Sequence, residues 1–116
     1  MSPDSFRALA LSFENVIETP NANKNSFKVD DKIFITIDNI NLKAVFRLSP
    51  KDQSKFSDLD PSAIYPAQAG WGKQGWTIFE LKFIEEELLE KALVLAYCTV
   101  APEDMVKKYK KKTVKK

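Results

Sequence analysis

A chain of 116 residues, 44% of them hydrophobic and 29% charged, fits one globular domain, because two cores cut from this length would each be starved. No apolar run approaches the roughly 18–20 residues that cross a bilayer. One cysteine and no histidine remove an internal disulfide, the commonest metal ligand and the usual proton carrier at neutral pH, which excludes a zinc site or a catalytic triad.

The chain opens with no basic, apolar leader, which points to the cytoplasm. Ser2 followed by Pro3 is a helix start, and a helix over about residues 3–13 lays Phe6, Leu9, Ala10 and Phe13 on a sheet as one apolar stripe. From Glu18 to Asn25 the residues Thr19, Pro20, Asn21, Asn23 and Asn25 favour turns, so a surface loop is expected. Three runs with strand character follow, Ser26 to Val29, Lys32 to Asp38 and Leu42 to Leu48, joined by tight hairpins into an antiparallel sheet. Alternation buries Ile33, Ile35, Ile37, Leu42, Ala44, Phe46 and Leu48, and turns Lys28, Phe34, Thr36, Lys43, Val45 and Arg47 outward. Ser49, Pro50 and Asp52 open a short helix that ends near Leu59. The stretch from Asp60 to Gly75 is poorly patterned, and Trp76 to Leu81 reads as a further strand. A long last helix runs from near Ile84 to about Val100, with Leu88, Leu89, Ala92, Leu93, Leu95 and Ala96 buried and Val94 and Cys98 turned away from that stripe. No internal repeat is visible, and the chain reads as a single domain over 1–106 with a lysine-rich tail over 107–116.

That tail changes the meaning of the formal charge of +2, because seven of the eighteen basic residues fall in it: Lys107, Lys108, Lys110, Lys111, Lys112, Lys115 and Lys116. The other eleven Lys and Arg sit with all sixteen Asp and Glu, which leaves the body at −5 and the tail at +7. A basic block of this kind is either a solvated terminus or a contact to a polyanion, with Tyr109 as a stacking ring among the cations; pairing with an acidic body is a third reading.

The only three glycines, Gly70, Gly72 and Gly75, satisfy the spacing G-x-G-x-x-G. A dinucleotide site needs that turn between a strand and a helix, whereas Trp76 to Leu81 continues as strand, and no kinase-type catalytic loop accompanies it. A bend is the simpler reading, with glycines at backbone angles closed to other residues and with Trp71 and Trp76 as structural aromatics supplying packing area. Cys98 lies late in a helix near carboxylates, unlike an activated thiol, and Glu86 with Glu90 reads as a solvated helix side. No catalytic residue, cofactor or metal is expected. The outward cations Lys28, Lys43 and Arg47 with Phe34 match a surface that holds phosphates and stacks bases, though a solvated face or a dimer contact fits the same residues.

The order Ser26-Phe27-Lys28-Val29, Lys32-Ile33-Phe34, Leu48-Ser49-Pro50-Lys51-Asp52-Gln53, Gly70-Trp71-Gly72-Lys73-Gln74-Gly75-Trp76 and Leu88 to Ala101 resembles the MmcQ/YjbR family of small bacterial proteins over about residues 5–105. The resemblance implies a CyaY-like, or double-wing, α+β fold: an antiparallel sheet with the N-terminal and long C-terminal helices packed on one face. It also implies DNA binding, and by position it points to Lys73 and Lys28. The expectation is therefore a non-enzymatic module that binds DNA or RNA weakly and without sequence preference through Lys28, Lys43, Arg47, Lys73 and the lysines from Lys107 to Lys112. The alternative is a protein-interaction or chaperone-like adaptor acting as a homodimer through the outward sheet face or through Val94 and Cys98. Neither reading involves a membrane.

Overall fold

The computed structural model describes residues 3–21, 23–68 and 70–107. Helix α1 (Pro3–Leu11) leads into a hairpin of β1 (Ile17–Asn21) and β2 (Lys24–Val29), followed by β3 (Lys32–Asp38) and β4 (Lys43–Arg47). Helix α2 (Pro50–Leu59), β5 (Ile64–Pro66), the short helix α3 (Gly70–Lys73) and β6 (Trp76–Glu80) come next. A single 3-10 turn, Leu81–Phe83, then precedes the long helix α4 (Glu86–Val100). The strands form one six-stranded antiparallel sheet in the order β1-β2-β3-β4-β6-β5.

The helices cover one face of that sheet. Phe6 of α1 meets Phe27 and Phe46 edge-on, with ring centres 6.5 and 5.7 Å apart. Phe79 joins Phe46 to Phe56 of α2, and α4 lies against β3 and β4. Tyr97 of α4 packs on Phe13 and Phe34, and its hydroxyl donates to the Glu14 carbonyl at 2.7 Å, satisfying the one polar atom that this ring takes into the core. As expected, the α2 start is capped by Ser49, whose hydroxyl accepts from the Asp52 N–H at 3.1 Å.

Several details differ from the sequence expectation. The Glu18–Asn25 segment is not a loop: β1 and β2 pair from Ile17↔Lys28 to Asn21↔Lys24, and the asparagines serve the pairing. Asn25 donates to the Glu18 carboxylate and accepts from the Asn39 amide at 2.9 Å, so polar side chains brace this edge where apolar ones would be expected. On β3 the two-residue alternation breaks. The register shifts between Phe27 and Lys28, which pair with Ile35 and Ile33, so Phe34 is an extra residue; it is fully buried, while Ile33 is 36% exposed. Leu42 is a turn residue at φ +54° and is half-buried. The poorly patterned stretch after Asp60 contains β5 and α3, and in α4 the buried set is Leu89, Ala92, Leu93, Ala96, Tyr97 and Val100, with Leu88 and Leu95 only half-buried. Val94 and Cys98 are half-buried rather than outward, and Val94 packs against the core. Among the described residues no helix is long and apolar enough to cross a membrane.

Candidate functional site

The second face of the sheet carries no helix among the described residues. Register and burial place Ile17, Lys28, Ile33, Arg47 and Trp76 across one end of it, in strand order. The uncharged row Thr19, Ser26, Thr36, Val45, Ile78 and Tyr65 crosses the middle, each residue paired with the next. Lys24, Asp38, Lys43 and Glu80 form the far row.

The predicted cations do not form one patch. Lys43 and Arg47 are at opposite ends of β4, roughly 13 Å apart along an extended strand. Lys43 is committed to Glu80, with Nζ 3.5 Å from the carboxylate, and Glu80 also accepts from the Tyr65 hydroxyl. The Glu80 charge holds the Lys43 ammonium above its ordinary range, and the hydrogen bond to Glu80 raises the Tyr65 phenol in the same sense. Beside them, N–H groups of Asn41 and Ile40 converge on the Asp38 carboxylate and hold it below the usual range, a turn anchor that leaves little for a ligand. Lys28 and Arg47, at the other end, make no ion pair with any described residue. Phe34, predicted beside them, is in the core.

The aromatic component comes instead from the glycine-containing segment. Trp76 lies across from Arg47 in the β4–β6 ladder, and the Trp71 ring meets Trp76 edge-on with centres 6.4 Å apart. Trp71 is 62% exposed, so it supplies surface where packing was expected of it. The segment is held from below. Gln53 of α2 donates through Nε2 to the Gly72 carbonyl at 2.9 Å, the Thr77 hydroxyl at 3.1 Å and the Trp76 carbonyl at 3.2 Å. The buried Thr77 hydroxyl donates a hydrogen bond to the Gly75 carbonyl at 3.1 Å, and the Leu48 N–H donates to that same carbonyl at 2.9 Å. Of the glycines, only Gly75 has a left-handed backbone, at φ +99°. Lys73 is exposed on the same short helix, but two residues on from Trp71 it leaves the axis about 200° away, so its ammonium is directed differently from the ring.

The remaining candidates are placed as follows. Lys107 is exposed at the end of a helical segment over 103–107, while Lys108, Lys110, Lys111 and Lys112 lie outside the described residues. Glu86 and Glu90 are exposed on α4. A cavity of about 400 Å³ between α2, β5 and α4 is lined by Leu59, Phe83 and Leu88 with Asp60, Glu85 and Glu87, a surface whose carboxylates repel a polyanion. Among the described residues no three of His, Cys, Asp or Glu gather as they would around a metal ion.

The chain is similar to a solved structure, that of the Deinococcus radiodurans protein DR2400, which contains the DUF419 domain: TM-score 0.77, 21% identity, 96% of this chain and 86% of that one covered. At that identity the likeness establishes the fold and nothing of the site. Neither a family model nor a curated protein matches the chain.

Proposed function

We propose that this chain is a non-enzymatic, cytoplasmic module of MmcQ/YjbR type that binds nucleic acid weakly and without sequence preference, through the Lys28–Arg47–Trp76 end of its open sheet face. The family part of this reading is supported by the fold shared with DUF419, which is related to that of MmcQ/YjbR. The functional part rests on one observation: the exposed Trp71 meets Trp76 edge-on, and Trp76 stands across the ladder from Arg47, which has no carboxylate partner among the described residues, on a face that α1, α2 and α4 leave uncovered. Sheets that carry such rings and cations hold bases and phosphates together. The lysines from Lys107 to Lys112 add long-range attraction that offsets the −5 of the body, a sum in which Lys73 is already counted. Lys43 is left out of the surface because Glu80 neutralises it.

Fluorescence anisotropy of a labelled oligonucleotide with the full chain, at several salt concentrations, tests the reading. Binding should weaken with salt by about 0.7–0.9 log units per decade for each phosphate contacted, and Lys28→Glu with Arg47→Glu should flatten that slope by roughly two contacts. An oligonucleotide that stays free at low salt refutes it. A second reading, a homodimer or adaptor face, draws on the exposure of Ile17 and Ile33 on the open face of the sheet. It predicts a dimer by light scattering that Ile33→Lys dissociates.

A further inference from the structure

Resting on the nucleic-acid reading, we infer that the ligand is single-stranded DNA or RNA, with Trp71 as the ring on which a base stacks. Three features of the open face point this way. First, the Trp71 ring is exposed yet positioned: Gly72 wedges α3 against the chain, since a Cβ there would come within 2.4 Å of the Ala67 carbonyl, and Gln53 fixes the Gly72 carbonyl from the core side. The interplanar angle of 68° to Trp76 means that the two rings are not stacked on each other, and at least one face of Trp71 stays open to a planar partner. A ring held in place loses little freedom on binding, which favours stacking.

Second, the cations are few and spaced for a thread rather than a rod. Arg47 is the cross-strand neighbour of Trp76, and Lys28 is two strands further on, roughly 10 Å away at ordinary strand spacing, with the half-buried or partly exposed Ile33, Thr36 and Val45 as an uncharged floor between and beside them. In the far row Asp38 and Glu80 stand across from Lys24 and Lys43 and offset their charge, so the net positive charge of this face lies at the Lys28–Arg47 edge. The two cations on this face release too few counterions to hold a duplex here by their charge alone, and at this face stacking must supply the rest.

Third, this face is built from strands, with only the four-residue α3 at its Trp76 end. Reading a duplex in the major groove requires an element that enters a channel about 12 Å wide and 8.5 Å deep, and α3 is only about one turn long. In a duplex the base faces are already stacked on one another, beyond the reach of Trp71, whereas an unpaired strand offers a base face at every step.

The experiment titrates the full chain with an oligo(dT) strand, an oligo(rU) strand and a DNA duplex of equal length at one salt concentration, read by anisotropy. Either single strand should bind at least about tenfold more tightly than the duplex. Trp71→Ala should lose about tenfold on the single strands with no change on the duplex or in salt slope, and Trp71→Phe should recover most of the loss. Arg47→Glu should instead change the slope. Equal affinity for duplex and single strand, or an unaffected Trp71→Ala protein, overturns the single-strand assignment and leaves the broader reading standing. Failure of all three nucleic acids to bind at low salt overturns both. Circular dichroism of each variant separates lost contact from lost fold, and Trp71→Phe keeps the test decisive if Trp71→Ala does not fold.

Discussion

Alanine at each of the three glycines should act with different sign and size, because the backbone around each is different. At Gly75 the φ of +99° is strained for any L side chain, and a Cβ would stand 1.9 Å from the Leu48 carbonyl oxygen, an overlap with main chain that no rotamer relieves. Strain of about 1–3 kcal/mol for the backbone angle, with a similar cost for pushing β4 away, places Gly75→Ala at about 2–6 kcal/mol of destabilisation. For a domain of this size that lowers Tm by on the order of 10–20 °C. Gly72→Ala meets the Ala67 carbonyl at 2.4 Å without a φ penalty, so about 1–3 kcal/mol is expected. Gly70 has nothing within 4 Å and opens a helical turn, where alanine should be neutral or stabilise by up to about 1 kcal/mol. Thermal unfolding followed by tryptophan fluorescence measures all three. The order Gly70 above wild type, then Gly72, then Gly75 is the expected result. A nucleotide-binding loop predicts something else, namely loss of nucleotide affinity at each glycine with stability nearly intact. Equal Tm values for Gly70→Ala and Gly75→Ala would refute the argument that geometry, and not a ligand, explains these residues.

Three further outcomes follow from the contacts described. Phe34→Ala should cost about 3–5 kcal/mol in denaturant unfolding and Ile33→Ala under about 1, because the bulge buries the first and leaves the second at the surface; regular alternation predicts the reverse. Gln53→Ala should cost about 1–2 kcal/mol, since Gly72 and Trp76 each keep a second partner, the N–H groups of Gly75 and Ala67, and it should also loosen the Trp71–Trp76 pair, visible as a change in near-ultraviolet circular dichroism. Tyr65 has its phenol raised in the folded state, so its contribution is complete below the unfolded value of about 10 and is lost as pH climbs through the folded one. Alkaline unfolding should therefore begin earlier in Tyr65→Phe, whose remaining pH dependence above 10 should be shallower than that of wild type.

The fold was legible wherever one local signal sufficed. Ser49, Pro50 and Asp52 predict the start of α2 because capping involves neighbours in the chain, and the apolar stripe of α4 follows from spacing alone. The β1–β2 hairpin was not legible, since Pro20 and the asparagines carry turn propensity, and what overrides it is a set of bonds to Glu18 and Asn39 that no local window contains. On β3 the alternation rule fails at one residue. The register shift opposite Phe27 and Lys28 lets both Phe34 and Ile35 face the helices, and the space for Phe34 is made by Tyr97, a residue 63 positions away in sequence.

The site was harder to read because a cation's meaning depends on what stands across the ladder from it. Lys43 and Arg47 look equivalent in the sequence, both outward on one strand, yet the antiparallel register sets Glu80 opposite the first and Trp76 opposite the second. The first becomes a neutralised strut and the second a cation beside a ring. Trp71 shows the converse problem. A tryptophan between two glycines is most simply assigned to packing, but Gly72 fits so closely under Ala67 that it occupies the inner position, and the larger ring is left outside. The proposed interface therefore follows from β4–β6 pairing and from one close approach of backbone to backbone. If Arg47 and Trp76 were exchanged, the pair would remain together across the ladder, but the ring of Trp71 would lose the aromatic neighbour that braces it; the double exchange should keep the salt slope of nucleic-acid binding and lose the stacking component.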